Sequence, residues 1–373
     1  MKRIVIGGGA SGLMCSAISA KNNVETILIE KNVRVGKKLS QTGNGKCNLA
    51  NLEMSLDCFN QSNLVQKLMQ LYPTEKVLDI LRQDFGIHTF GDNFSRVYPI
   101  SENANSVVDC FRIACQKYGV KTIFDTVLSI EKVQKGFKVH CQNDVYFCDD
   151  VVLATGLFAQ AKEKRTFFEQ YQTALHPSLT PLMVKNPDKS LDGLRQKCFV
   201  TLLKEGKPIY KEKGEVLFRQ YGLSGVCIFN CSAYVARSKV KGENAKFEVV
   251  LDLLPTIEQK EVQSIVESRG TWEKENWFLG ILSNKLALHV AKQSKDVQKA
   301  FQKAKRLSFE VVDTLGFDVA QCTSGGFDEK YIDENFALPN GVKVCGEIIN
   351  VDGLCGGNNL WFAFASGHLV ATK

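Results

Sequence analysis

The chain has 373 residues, 44% of them hydrophobic and 23% charged, with a formal net charge of +7. That length exceeds one ordinary core and suits a nucleotide-binding domain carrying an inserted one, and no apolar run approaches the roughly 20 residues of a membrane-spanning helix. Thirteen cysteines stand without framework spacing, the closest pairs being Cys110 with Cys115 and Cys227 with Cys231; this excludes a disulfide scaffold, a C-x-x-C redox pair and a zinc knuckle, and a reducing cytoplasm is expected.

Lys2 to Ile6 reads as a short apolar strand, with glycines following at once where an export signal would need a longer apolar stretch. Ala10 to Lys21 can form a helix of small residues and Val24 to Glu30 a second strand, completing a β-turn-α-turn-β unit. Apolar positions recur at helical spacing from Leu64 to Phe85 and from Val107 to Tyr118, while Val120 to Val133 and Phe137 to Cys148 alternate as strands do. Val151 to Ala154 is a further strand, ending at Thr155-Gly156. From about Ala174 to Leu254, prolines and glycines punctuate a pattern of strand and turn, so a β-rich unit is expected. After Pro255 helices are expected at Ile257 to Ser268, Trp277 to Ala291 and Asp296 to Lys303. The densest basic stretch, Lys292 to Arg306, carries Val297, Ala300, Phe301 and Ala304 at helical spacing, so its lysines read as a solvated face and not as a nucleic-acid surface. The last stretch, Val342 to Val370, reads strand, glycine loop, helix. The expected organisation is α/β: a discontinuous nucleotide-binding domain of residues 1–173 and 319–373, a β-rich inserted substrate domain at 174–254, and a helical subdomain at 255–318.

Between the first strand and helix stands Gly7-Gly8-Gly9-Ala10-Ser11-Gly12. Gly7, Gly9 and Gly12 occupy the three positions of G-x-G-x-x-G, permitting the tight turn, close approach of a pyrophosphate and helix-to-strand packing. The helix opening at Ala10 and Ser11 aims free N–H groups and its positive dipole end at the phosphates. Glu30 lies 18 residues beyond Gly12, near the roughly 20 expected for a carboxylate that accepts a ribose hydroxyl, and its charge disfavours a 2′-phosphate there. The turn points to a dinucleotide and does not by itself separate FAD from NAD.

Three further segments make that separation: Glu30-Lys31-Asn32-Val33-Arg34-Val35-Gly36-Lys37-Lys38-Leu39 with Thr42-Gly43-Asn44-Gly45-Lys46-Cys47-Asn48 after it, Val151 to Gly156, and Gly346-Glu347 through Asp352 to Gly356-Gly357-Asn358-Asn359-Leu360. Together they resemble the BaiN-like flavoproteins, also called the aminoacetone-oxidase-type FAD-binding family, and Ser95 to Pro99, Phe218 to Gly225 and Ala320 to Gly326 match its internal motifs. The resemblance spans nearly the whole chain. It implies a Rossmann-like FAD-binding domain of the glutathione-reductase type, built from both ends of the chain and interrupted by a β-rich domain with a helical insert. Carried over by position, Lys37 and Lys38 would lie near the pyrophosphate, and Gly43, Asn44, Gly45 and Asn48 against the isoalloxazine. Glu347 would sit on the ribityl chain. Gly357, Asn358, Asn359 and Leu360 would open a helix toward flavin N1 and O2, where negative charge collects on reduction. Asp352 is either a further cofactor residue or a loop cap. Lys31, Val127, Ala154, Thr155, Gly156 and Gly346 complete the implied cofactor set. After Gly156 the family's glycine-rich segment is replaced by Leu157-Phe158-Ala159-Gln160-Ala161-Lys162, which leaves substrate identity and retained activity open.

The resemblance thus implies an FAD-dependent oxidoreductase moving hydride between a reductant and a small organic substrate of the enone or amine class. No second G-x-G-x-x-G is present, so NADH or NADPH would dock transiently, or another reductant would serve. Arg96, Tyr98, Tyr221, Ser224 and Ser324 are candidate catalytic residues of the cleft, each equally readable as packing or turn. The five histidines form no catalytic pattern and no metal site is expected. A flavin-dependent RNA-modifying enzyme and a non-catalytic, flavin-bound redox sensor are the alternative readings, and the oligomeric state is not legible.

Overall fold

In the computed structural model, which describes residues 1–60, 63–161 and 166–373, Lys2–Ile6 is the middle strand of a five-stranded parallel sheet. Glu25–Glu30 and then Lys121–Phe124 extend it on one side, Asp150–Leu153 and then Lys343–Val344 on the other. Ile4, Val5, Leu28, Val151, Val152 and Leu153 are wholly buried, the continuous apolar runs of parallel strands covered on both faces. Helix Ala10–Lys21 packs on the sheet and on the C-terminal helix Asn358–Thr372. Both ends of the chain therefore build this unit, Met1–His176 with Cys322–Lys373.

Two antiparallel sheets are added to it. Thr89–Gly91, Arg96–Pro99 and Ala50–Asn51 form one, and Val127–Lys132, Phe137–Cys141 and Val145–Cys148 form a meander. The helical spacing from Leu64 to Phe85 resolves into two helices, Asn63–Leu71 and Thr74–Phe85. Pro73 divides them, since it lacks an N–H and disfavours helical geometry at the residue before it.

The second unit, Pro177–Gln321, holds a closed antiparallel barrel. Its order is Leu182–Val184, Gly222–Ser224, Lys207–Arg219, Arg195–Lys204, Phe247–Asp252 and Leu307–Thr314, the last pairing with the first. Three expectations fail here. Val226–Val240 is a helix, not strand and turn; its Cys227, Ile228, Cys231, Ala233, Val235 and Ala236 are all buried, and a helix covered on more than one side shows no single apolar stripe. Leu307–Thr314, inside the stretch assigned to a helical subdomain, is a barrel strand that exposes Ser308, Glu310 and Val312 at every second position. The helix expected from Trp277 begins only at Asn284, with Trp277 and Phe278 reaching the core from a turn. Helices Gln259–Arg269, Asn284–Lys292 and Val297–Lys305 share one apolar cluster with the barrel, so residues 255–318 have no core of their own.

No described helix is long and apolar enough to cross a membrane. None of the thirteen cysteines is bonded to another. Burial pushes the Cys115, Cys198 and Cys227 thiols up to about 12, the state of inert packing residues.

Candidate dinucleotide and flavin site

The glycine turn lies at the carboxyl end of Lys2–Ile6, where open α/β sheets bind their ligands. Its three motif glycines do different work. Gly7 has φ +105°, and a Cβ there would lie 2.5 Å from the Ala154 carbonyl oxygen; a Cβ on Gly12 would lie 1.8 Å from that of Gly7. A Cβ on Gly9 would meet nothing within 4 Å, and the φ of Gly9 is −82°. Neither packing nor backbone geometry thus requires glycine at position 9, which leaves open space beside the backbone there. Helix Ala10–Lys21 has no side-chain cap and no acidic residue in its first turn, so its leading N–H groups are offered to an anion. These features fit a pyrophosphate.

Glu30 ends the second strand, buried. One carboxylate oxygen accepts the Gly8 N–H at 2.7 Å and the other the Asn32 N–H at 2.7 Å. A carboxylate has about four lone-pair sites, so capacity for a ribose hydroxyl remains. The loop after it returns to the turn through the Gly36 N–H, which donates to the Gly8 carbonyl at 2.7 Å. Lys31 is exposed on this loop and Lys37 reaches the Asn32 amide oxygen at 3.4 Å.

Lys38 is placed differently. Its ammonium donates to Glu347 Oε2 at 2.6 Å, and Glu347 Oε1 accepts the Thr323 N–H at 3.1 Å. Thr323 Oγ1 in turn accepts the Ala159 N–H at 3.0 Å. One run of bonds therefore joins the segment after Gly156 to the acidic residue expected at the ribityl chain. Lys162, at the end of that segment, lies outside the described residues. Thr323 stands beside the sequence candidate Ser324 in the same Ala320 to Gly326 motif, and no local pattern marks it out as the link. Ser324 Oγ donates to Asp352 Oδ1 at 3.1 Å, both side chains buried. Burial, then the nearby Asp352 and Glu347 carboxylates, raise the Cys322 thiol well above its ordinary value, while Lys38 opposes them. A neutral thiol there is a poor redox nucleophile.

Gly346 brings the C-terminal segment against helix Ala10–Lys21: a Cβ on it would lie 2.3 Å from Ser11 Oγ, and its N–H donates to Ser366 Oγ at 3.0 Å. The helix Asn358–Thr372 starts at Gly357, again with no side-chain cap and no acid in the first turn. Asn359 clamps Gly353, accepting its N–H at 2.8 Å and donating to its carbonyl at 2.7 Å. Asn358 donates to the Leu354 carbonyl at 3.0 Å, while its Oδ1 is buried without a protein partner, a polar atom that a bound ligand can satisfy. Asn48, with its amide turned to satisfy both ends, donates to the Ala50 carbonyl at 3.0 Å and accepts the Gly357 N–H at 3.2 Å. Gly43, Asn44 and Gly45 are consecutive left-handed residues, with φ of +56°, +53° and +85°; for Asn44 such geometry is a cost that a functional loop tolerates.

The other sequence candidates are more dispersed. The Ala154 N–H prolongs its strand by donating to the Ile6 carbonyl at 2.8 Å, Thr155 and Gly156 are at the surface beyond it, and Val127 begins the meander. Arg96 is held by Asp92, with Nε at 2.8 Å from Oδ2, and Tyr98 packs beside Phe90 at 6.1 Å. Tyr221 and Ser224 belong to the second unit, Tyr221 in a hairpin turn and Ser224 buried in a short barrel strand.

The chain matches the HI0933-like protein Rossmann domain over residues 1–373. It is 28% identical to the 3-dehydro-bile acid delta(4,6)-reductase of Clostridium scindens, over 99% of this chain and 98% of that one. It is 26% identical to the ribosomal RNA dihydrouridine synthase of Haemophilus influenzae, over 99% and 97%. Among solved structures it shares a fold with 3-ketosteroid delta1-dehydrogenase from Sterolibacterium denitrificans, with a TM-score of 0.51 at 11% identity over 99% and 98% of the two chains. With a match along its whole length and a glycine turn, acidic strand end and C-terminal helix in place, the chain belongs to the HI0933-like Rossmann family and is an FAD-dependent oxidoreductase.

Proposed function

We propose that this protein reduces a carbon–carbon double bond conjugated to a carbonyl in a small organic molecule, with NADH or NADPH as the electron source. The observation that carries the reading is the pair of uncapped, acid-free helix starts, at Gly9 and Gly357. The first supports the pyrophosphate of FAD, with Glu30 for the ribose. The second, together with the Lys38–Glu347 pair, supports the ribityl and flavin end.

FAD, when bound, supplies hydride for the carbon β to the carbonyl. The chain supplies position and field. The N-terminus of Asn358–Thr372 favours negative charge by about 0.3–1 kcal/mol, up to ~2 when partly buried, which shifts the balance between flavin states several-fold or more. Thr323, which also binds Glu347, holds Ala159 in the segment after Gly156. The substrate class rests on chemistry common to two relatives. The delta(4,6) double bonds of a 3-dehydro bile acid and the double bond lost in making dihydrouridine are conjugated to a carbonyl, and each name describes a reduction.

The test is anaerobic: the purified holoprotein is reduced with NADH or NADPH, and the flavin spectrum is followed as an enone is added. Return of the oxidised spectrum with a saturated ketone as product supports the reading. Reduction of the oxidised flavin by amines, with no response to enones, overturns it. The likeness to the Haemophilus ribosomal RNA dihydrouridine synthase and the +7 charge favour a second reading, reduction of uridine within RNA. Dihydrouridine formed in transcripts, with binding that falls steeply with salt, would select it.

A further inference from the structure

The small antiparallel sheet of the first unit shows an unusual outer face. Along Arg96–Pro99 and into Ile100, burial alternates: Val97 and Pro99 point inward, while Arg96, Tyr98 and Ile100 point outward. Phe90 pairs directly with Tyr98 across the strands, their rings 6.1 Å apart, and Phe94 in the connecting turn lies under the Arg96 guanidinium at 5.0 Å. Phe94 is 74% exposed, Ile100 66% and Phe90 40%. The outward face of such a sheet ordinarily carries polar residues, and a contiguous apolar patch marks a binding surface.

Two features select its occupant. The face continues into the left-handed loop, since a Cβ on Gly43 would lie 3.8 Å from Tyr98 Cε1. Its cations are also already used: Arg96 gives Nε to Asp92 Oδ2 at 2.8 Å and a terminal nitrogen to the same oxygen at 2.7 Å, and Lys46, which acts on Tyr98 from the adjoining loop, is paired with Glu102 at 2.9 Å. A polyanion such as an RNA backbone finds no uncompensated charge on the face, whereas a rigid, uncharged ring system finds aromatic and aliphatic surface. We propose that Phe90, Phe94, Tyr98 and Ile100 form a substrate subsite for the fused-ring, apolar body of a conjugated ketone. This rests on the enone reading and on the Gly43 loop bordering the flavin.

The test compares wild type with F90S/F94S, both changes being at exposed positions, with bound FAD content as the check on folding. The probes are a steroid 4-en-3-one and cyclohex-2-enone. Removing two aromatic contacts raises the ratio of steroid KM to cyclohexenone KM about tenfold, and equilibrium dialysis shows the same loss in steroid affinity. An unchanged ratio with unchanged steroid affinity overturns the subsite. So does a change of oligomeric state in the variant, seen by sedimentation, which would make the face a self-interface. If neither enone reoxidises the flavin, the enone reading falls while dialysis still decides whether this face binds the ring system; no measurable steroid binding to wild type overturns it as well.

Discussion

Lys38 and Glu347 stand 309 positions apart in the chain and meet as an ion pair of 2.6 Å, with the Thr323 N–H holding the other carboxylate oxygen. The pair is partly solvated, its side chains 35% and 22% exposed, so its own contribution to folding is about 0–1 kcal/mol. Glu347→Gln keeps an acceptor for Thr323 and removes the charge. Its apoprotein should unfold within a few degrees of wild type, while FAD dissociates about tenfold more readily or changes its midpoint potential. Thermal unfolding of the apoprotein and titration with FAD check both halves; unchanged FAD affinity and potential would remove Glu347 from the cofactor site.

The motif glycines should separate fold from ligand. Gly12→Ala drives a methyl group to 1.8 Å from the Gly7 carbonyl oxygen, and overpacking of this kind costs about 1–3 kcal/mol or more. Gly9→Val places its side chain where the protein has no atom within 4 Å of the Cβ. Far-ultraviolet circular dichroism should therefore show a folded Gly9→Val protein that is purified without flavin, and a Gly12→Ala protein with a lowered melting temperature. Full FAD occupancy in Gly9→Val would refute the pyrophosphate assignment.

Local spacing made the turn and Glu30 legible, because a strand, a tight turn and a helix start leave their marks within thirty residues. Lys38 and Glu347 could each be singled out by resemblance, but nothing in linear order pairs them or inserts Thr323 as the link to Ala159. Val226–Val240 was misread for a physical reason: apolar residues buried on several sides erase the 3.6-residue period that marks a surface helix. In Leu307–Thr314 the strand alternation was present, yet it lay behind three helices and was absorbed into their stretch. The outward Phe90, Phe94 and Ile100 were equally silent, since exposure of an apolar residue is a property of the folded sheet alone.

His368 supplies a pH dependence. Burial holds its imidazole below the usual 6.5, with Lys76 and Lys21 acting in the same direction and Asp84 against them, and the Tyr72 hydroxyl lies 2.9 Å from Nδ1. The unfolded chain takes up the proton near 6.5 and the folded one only at lower pH. The stability linked to neutral His368 is thus fully present above about 6.5 and is lost as pH falls through the folded value. His368→Gln keeps a partner for Tyr72 and cannot titrate. From about pH 8 to about pH 5 its melting temperature should fall less than that of wild type; parallel curves would show that His368 titrates alike in both states.

Arg3 stands inside a segment whose sequence reads as a short apolar strand, and the structure makes it the tie between the two ends of the chain. It is wholly buried, giving Nε to Asp150 Oδ2 at 2.6 Å and one terminal nitrogen to Ser19 Oγ at 2.7 Å and to the Val370 and Ala371 carbonyls at 3.2 Å each. The last two are carbonyls at the C-terminal end of the helix whose start is assigned to the flavin, a cap by a cationic side chain. Lys343 is 3.3 Å from the same Asp150 oxygen, but its point charge cannot replace the planar fork. Arg3→Met should cost about 1.5–3 kcal/mol in urea unfolding, since it removes four buried hydrogen bonds and leaves Asp150 with the Lys343 ammonium alone. The double variant Arg3→Met with Asp150→Leu should cost less than the sum of the single changes, because both remove the same Arg3–Asp150 contact. A double variant as unstable as the sum of its single changes would mean that Arg3 acts mainly on the helix carbonyls, and FAD affinity should then follow Arg3 alone.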